Sequence, residues 1–136
     1  MATKSKAYVD SSAFIAFLDK SDSYHVLFNH LFSNPPILIT TPLVINETHA
    51  WFLRRYDIFR GAEFLSFIES LKPKILSIGD KDIKAASLIV RKFSDQKLTL
   101  TDAMGLNIIK KQNIKECWST DRHLGLLGAD LVIHLK

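Results

Sequence analysis

Apolar and polar residues follow two periods along this chain, short β-like runs and longer stretches at helical spacing. Residues 7–10 form the first β-like run, and Phe14, Ile15, Phe17 and Leu18 then recur on one helical face, with Ser11 or Ser12 placed to cap it. Ser21 to Ser23 start a second helix carrying Val26, Leu27, Leu31 and Phe32, which Asn34, Pro35 and Pro36 end. Residues 37–40 predict a second buried strand. Pro42 suits a first helical turn, so a helix is expected over residues 43–56, followed by another over 58–71 that Pro73 closes.

Residues 74–77 predict a short strand, and Gly79 and Asp80 open a helix reaching about residue 93. Residues 95–100 are expected as a loop, with Thr101 capping a helix over 102–111. Residues 116–118 predict a strand, 119–121 a loop and 131–135 a closing strand. Strands alternating with helices predict an α/β three-layer sandwich, a mainly parallel central sheet flanked by helices, as a single domain over residues 1–136.

In open α/β sheets the ligand crevice lies beyond the carboxyl ends of the strands. Asp10, Glu47, Asp102 and Asp121 each fall where a strand ends or where the helix after a strand begins, so the predicted topology gathers them at one sheet edge. Clustered carboxylates repel one another and lose hydration. Without basic partners they are neutralised by a divalent cation, which points to a Mg²⁺-dependent hydrolase acting on phosphodiesters.

Composition narrows this picture. A chain of 136 residues, 47% hydrophobic and 24% charged, can bury roughly two-thirds of its unfolded surface as one domain. The lone Cys117 excludes an intramolecular disulfide and a thiolate-rich zinc site, and fits a reducing, cytoplasmic setting. The first six residues lead directly into a strand without the pattern of a signal peptide, and no apolar run approaches the roughly 20 residues that span a bilayer. No membrane partner is expected. The net charge is +4, and setting the four clustered acids aside leaves 18 Lys and Arg facing the rest of the 14 Asp and Glu. Such a field draws a polyanion toward an acidic, metal-filled centre.

The segments Val9-Asp10-Ser11-Ser12, Ile45-Asn46-Glu47-Thr48, Leu100-Thr101-Asp102-Ala103 and Ser119-Thr120-Asp121-Arg122, in this order across nearly the whole chain, resemble the PIN-domain ribonucleases. Within that family the length and layout are most similar to the VapC-type toxins of toxin-antitoxin pairs. The resemblance implies that Asp10, Glu47, Asp102 and Asp121 are the family's acidic metal site and that Ser119 matches its hydroxyl position. It implies an endoribonuclease using Mg²⁺ or Mn²⁺, leaving a 5′-phosphate and a 3′-hydroxyl, and forming a homodimer restrained by a cognate antitoxin. Asp10 and Asp102 are assigned as direct ligands, Asp121 as a ligand directly or through water, and Glu47 to a second ion or to water. Asp95 resembles a further acidic position, but its loop setting favours a turn or capping role.

Other features compete with this reading. No two of the five histidines have the i, i+4 spacing of a helical zinc site, although His49 and His123 stand near acidic motifs. Arg54, Arg55 and Arg60 form one basic group, Arg91, Lys92 and Lys97 a second, and Lys110, Lys111 and Lys115 a third; Arg122, beside Asp121, is the residue placed to meet a phosphate. Trp51, Phe52 and Tyr56 suit core packing or a dimer surface better than base stacking, and Phe14, Phe17, Tyr24 and Phe28 suit burial or an apolar partner groove. The alternatives are a catalytically silent PIN-like module that binds RNA or protein, and a housekeeping RNA-processing nuclease. A receiver-like phosphoacceptor is disfavoured by the lack of an adjacent acidic pair after an early strand. An aspartate-nucleophile phosphatase is disfavoured because Asp10 has no second Asp two positions on.

Overall fold

Strand β1 (Lys6–Val9) and the elements after it follow the predicted alternation in the computed structural model, which describes residues 5–135 apart from the side chains of residues 123 and 135. Helices α1 (Ser11–Leu18) and α2 (His25–Ser33) precede β2 (Ile37–Thr40), and α3 (Pro42–Arg55) and α4 (Ile58–Leu71) precede β3 (Lys74–Ile75). Helices α5 (Asp80–Lys92) and α6 (Leu100–Lys111) are joined through a 3₁₀ turn at Ser94–Gln96. Strand β4 (Glu116–Trp118) and the short helices α7 (Arg122–Leu126) and α8 (Val132–Leu135) complete the chain.

The four strands run in the order β3-β2-β1-β4, and every pairing is parallel, with Tyr8 opposite Ile39 on one side and Cys117 on the other. Ala7, Tyr8 and Val9 are all buried, because helices cover both faces of the central strand. The chain winds outward from β1 to β2 and β3, then returns to β4 on the opposite side of β1. That reversal opens a crevice between the carboxyl ends of β1 and β4.

Aromatic side chains fill the core on one face of the sheet. Phe14 meets Phe64 edge-on at 5.6 Å between ring centres, and Phe32 meets Trp118 at 4.9 Å and 87°. Phe14, Phe28 and Phe52 are fully buried, which commits them to packing. A second, polar fastening ties the end of α1 to the α3–α4 hairpin. The buried Asp19 carboxylate accepts from Ser21 Oγ at 2.7 Å and from Tyr56 Oη at 3.0 Å, while Arg60 Nη2 donates to the Leu18 carbonyl at 2.9 Å. Burial pushes the Asp19 carboxyl up, but the Ser21 and Tyr56 hydrogen bonds and the Arg60 charge prevail and hold it below its usual range.

Several local expectations are corrected. The closing strand over 131–135 is absent: Leu131 makes a single parallel bridge to Cys117, and the next four residues form α8. A short run of consecutive apolar residues carries no period that separates strand from buried helix. Residues 74–77 supply regular strand only at Lys74–Ile75, although the Leu76 amide still donates to the Thr40 carbonyl at 3.0 Å. Helix α2 begins at His25 rather than at residues 21–23, because the Asp22 carboxylate accepts from the Tyr24 amide at 2.8 Å and closes a turn first. Thr101 does not cap α6. Thr99 does, in a reciprocal box with Asp102.

Candidate active site

Asp10 continues the β1 ladder by donating its amide to the Trp118 carbonyl at 3.0 Å. It is the N-cap residue of α1, yet its side chain makes no capping hydrogen bond. Its Oδ2 instead accepts from Ser119 Oγ at 3.1 Å. Ser12 Oγ stands 3.2 Å from the same oxygen and 3.1 Å from Ser119 Oγ, and accepts the Thr120 amide at 2.9 Å. The Asp121 amide donates to Ser119 Oγ at 3.0 Å. Two backbone amides of the loop after β4 are thus relayed through two hydroxyls onto one carboxylate oxygen at the end of β1. This network fixes the β4 loop against β1 and orients Asp10.

Glu47 reaches the crevice from α3. Thr41 caps that helix by accepting the Val44 amide at 3.3 Å, Pro42 fits its first turn, and Glu47 one turn later accepts from Ser11 Oγ at 2.8 Å. Asp102 arrives at the start of α6. Its Oδ2 accepts the Thr99 amide at 3.1 Å, and its own amide donates to Thr99 Oγ1 at 3.1 Å. No strand immediately precedes α6 among the described residues, so the expectation that every acid follows a strand is corrected for Asp102. Helix α6 crosses close to β1 at Gly105, where an added Cβ would lie 2.8 Å from Tyr8 Cε1. The absence of a side chain there brings the start of α6 to the crevice.

Electrostatics tie the acids together. Burial raises the Asp10 carboxyl to about 6, and the charges of Asp102 and Glu47 add to that rise; the Ser11 amide and the Ser119 hydroxyl oppose it. Asp102 is also raised, first by burial and then by Asp121 and Glu47, against its Thr99 hydrogen bonds. No cationic side chain is among the main influences on either group. The donor set is all oxygen and carries several mutually repelling negative charges, which fits a hard divalent cation such as Mg²⁺ or Mn²⁺. Among the described residues no group of three or more His, Cys, Asp or Glu side chains is placed to hold a metal ion. Glu47, Asp102 and Asp121 are half-buried and Asp10 is buried, an arrangement that leaves room for a cation retaining several waters.

The other nominated residues separate from this group. Asp95 is exposed in the 3₁₀ turn and accepts from the Gln96 amide group at 3.1 Å. His25 Nδ1 lies 2.9 Å from the Ala16 carbonyl, His49 packs where α3 passes Gly61 of α4, and the His123 side chain lies outside the described residues. Arg122 is exposed beside the crevice, its Nη2 making a long 3.4 Å contact to Tyr24 Oη. Arg60 stacks over the Tyr56 ring at 4.6 Å and serves the hairpin. Ser11 and Ser12, expected as caps of α1, instead turn both hydroxyls toward carboxylates. The recoverable signal was two hydroxyls directly after an acid at a strand-to-helix junction.

A parallel α/β sheet whose strand order reverses beside β1 presents its acidic side chains at the edge where open α/β folds bind ligands. The PIN domain family matches residues 7–128, and the chain belongs to it. No curated protein matches the chain. Its fold is similar to that of Mycobacterium tuberculosis VapC20, a sarcin-ricin loop cleaving toxin, with a TM-score of 0.83 at 18% identity over 91% of this chain and 96% of the other. PAE2754 from Pyrobaculum aerophilum gives a TM-score of 0.69 at 18% identity, covering 96% and 92% of the two chains. A toxin-antitoxin complex from Klebsiella pneumoniae gives 0.57 at 17% identity, covering 85% and 87%. Among the described residues no helix is long and apolar enough to cross a membrane.

Proposed function

We propose that residues 1–136 act as one catalytic unit, a Mg²⁺- or Mn²⁺-dependent endoribonuclease that works in the cytoplasm as a homodimeric, VapC-like toxin restrained by a cognate antitoxin. The observation that carries this reading is the buried Asp10 carboxylate, oriented by two hydroxyls and raised first by burial and then by Asp102 and Glu47, without a cationic side chain among its main influences. The family membership and the similarity to VapC20 and to the Klebsiella complex support the nuclease, RNA and antitoxin parts of it.

In this reading Asp10 and Asp102 hold the cation, Asp121 assists directly or through water, and Glu47 serves a second ion or orients water. When bound, the ion supplies Lewis-acid polarisation of the phosphate and activation of water. Ser119 and Ser12 keep Asp10 aimed. Arg122 meets a substrate phosphate at the rim.

Purified protein incubated with end-labelled structured and unstructured RNAs in EDTA, Mg²⁺ or Mn²⁺, beside Asp102→Asn, tests the proposal. Cuts that need the metal and fall at least a hundredfold in the variant, about 3 kcal/mol of transition-state stabilisation, are expected. Cuts that persist in EDTA or in Asp102→Asn overturn the assignment, and RNA binding without cleavage favours the silent binding module.

A further inference from the structure

Helices α1 and α3 start from adjacent strands, and their first turns are bolted together. Tyr8 of β1 pairs with Ile39 of β2, and Thr40 Oγ1 donates to the Val9 carbonyl at 3.0 Å across the strand ends. This places Ser11, the first residue of α1, beside Glu47, which lies one turn inside α3.

Ser11 is buried and has one hydroxyl proton, which goes to Glu47 Oε1 at 2.8 Å, a well-formed O–H···O hydrogen bond. The same residue's backbone amide supports the Asp10 carboxylate. Ser11 therefore touches two acids that come from different elements. The start of α1 meanwhile has no side-chain cap, although Asp10 and Ser11 are both residue types that provide one. Local helix chemistry is forgone at this junction, and the side chains serve the crevice instead.

Glu47 is the acid with the longest side chain in the group, and it is half-buried on α3. Its several rotors give it orientations toward solvent as well as toward Asp10 and Asp102. We infer that Ser11 is a positioning residue: its hydroxyl selects the Glu47 rotamer that faces the cation site, so that α1 sets the α3 arm of the acidic cluster. The inference rests on the metal-dependent reading given above.

Equilibrium Mn²⁺ binding, measured by calorimetry on the full chain without RNA, tests it in wild type, Ser11→Ala, Glu47→Ala and the double variant. Alanine at residue 11 keeps the backbone amide to Asp10 and favours helix, so the hydroxyl is removed alone; thermal unfolding of each variant verifies the fold. Partners that orient metal ligands affect affinity by about 10- to 100-fold. Ser11→Ala is expected to weaken Mn²⁺ binding about tenfold, and to weaken it no further when Glu47 is already alanine. Unchanged affinity in Ser11→Ala, or an equal loss in the presence and absence of Glu47, overturns the positioning role. Wild-type protein that binds no Mn²⁺ overturns the metal-dependent reading itself, a result distinct from additive losses in a protein that binds the ion.

Discussion

Asp10 carries a measurable signature of its surroundings. Its carboxyl stands at about 6 in the folded chain against 3.8 when unperturbed, so the folded state holds a proton that the unfolded chain releases between those values. The associated stability is fully present below about pH 3.8 and is lost as the pH rises through about 6. At neutral pH the ionised, buried group costs about 3 kcal/mol. Asp10→Asn is therefore expected to melt above wild type at pH 8 in EDTA, with the difference vanishing toward pH 4. Added Mg²⁺ should raise the wild-type melting temperature and leave the variant unmoved, and this gain should shrink as the pH falls below 6, where protons occupy Asp10. A variant less stable than wild type at pH 8 would mean that hydrogen bonds from Ser12 and Ser119 outweigh desolvation. The positions of the acids are legible in the sequence because each lies near a strand end or a helix start. The work of Ser11 and Ser12 is not, because a hydroxyl beside a helix start reads equally as a cap, and only the pairing of β1 with β2 and β4 brings their partners near.

At the scale of elements, the long helices are legible because their apolar residues recur at a helical period, and Pro42 and Pro73 mark their limits. The ends are less so. The box of Thr99 with Asp102 competes with the equally plausible Thr101, and the 131–135 run lacks any period, so its bridge and α8 depend on packing against β4. The approach of α6 to β1 is also invisible locally, since Gly105 in a helix suggests only weakness. The contact gives it a purpose: a Cβ there would stand 2.8 Å from Tyr8 Cε1 and 3.0 Å from its hydroxyl. Tyr8 is almost fully buried and cannot swing away. Gly105→Ala is expected to destabilise the fold by about 1–3 kcal/mol through overpacking, despite a helix-propensity gain of about 1 kcal/mol, and to reduce Mn²⁺ affinity by displacing Asp102. Urea unfolding with calorimetric Mn²⁺ binding measures both; a more stable variant would show that α6 shifts freely over Tyr8.

For the whole molecule, alternation of strands and helices was enough to specify a parallel α/β sheet, but strand order was not, since nothing local tells β4 to lie beside β1 rather than beyond β3. That choice creates the crevice, and the charge distribution sets what approaches it. The acids of the site sit within a chain of net charge +4, so in the proposed nuclease the attraction of RNA comes from basic residues while the carboxylates repel it until a cation is bound. Affinity carried by phosphate contacts falls with salt, with a logarithmic slope of about −0.7 for each phosphate neutralised on a single strand. Binding of a single-stranded RNA to Asp102→Asn, followed by fluorescence anisotropy from 50 to 200 mM salt, is expected to weaken on the order of 10- to 100-fold, corresponding to about three to five contacts. Arg122→Ala in that background should make the slope shallower by about 0.7 if its guanidinium meets a phosphate, and should weaken different RNA sequences alike. An unchanged slope would remove Arg122 from the RNA path and leave its contact with Tyr24 as its role. A loss confined to one RNA sequence would instead place Arg122 against a base edge, because a phosphate contact carries no sequence preference.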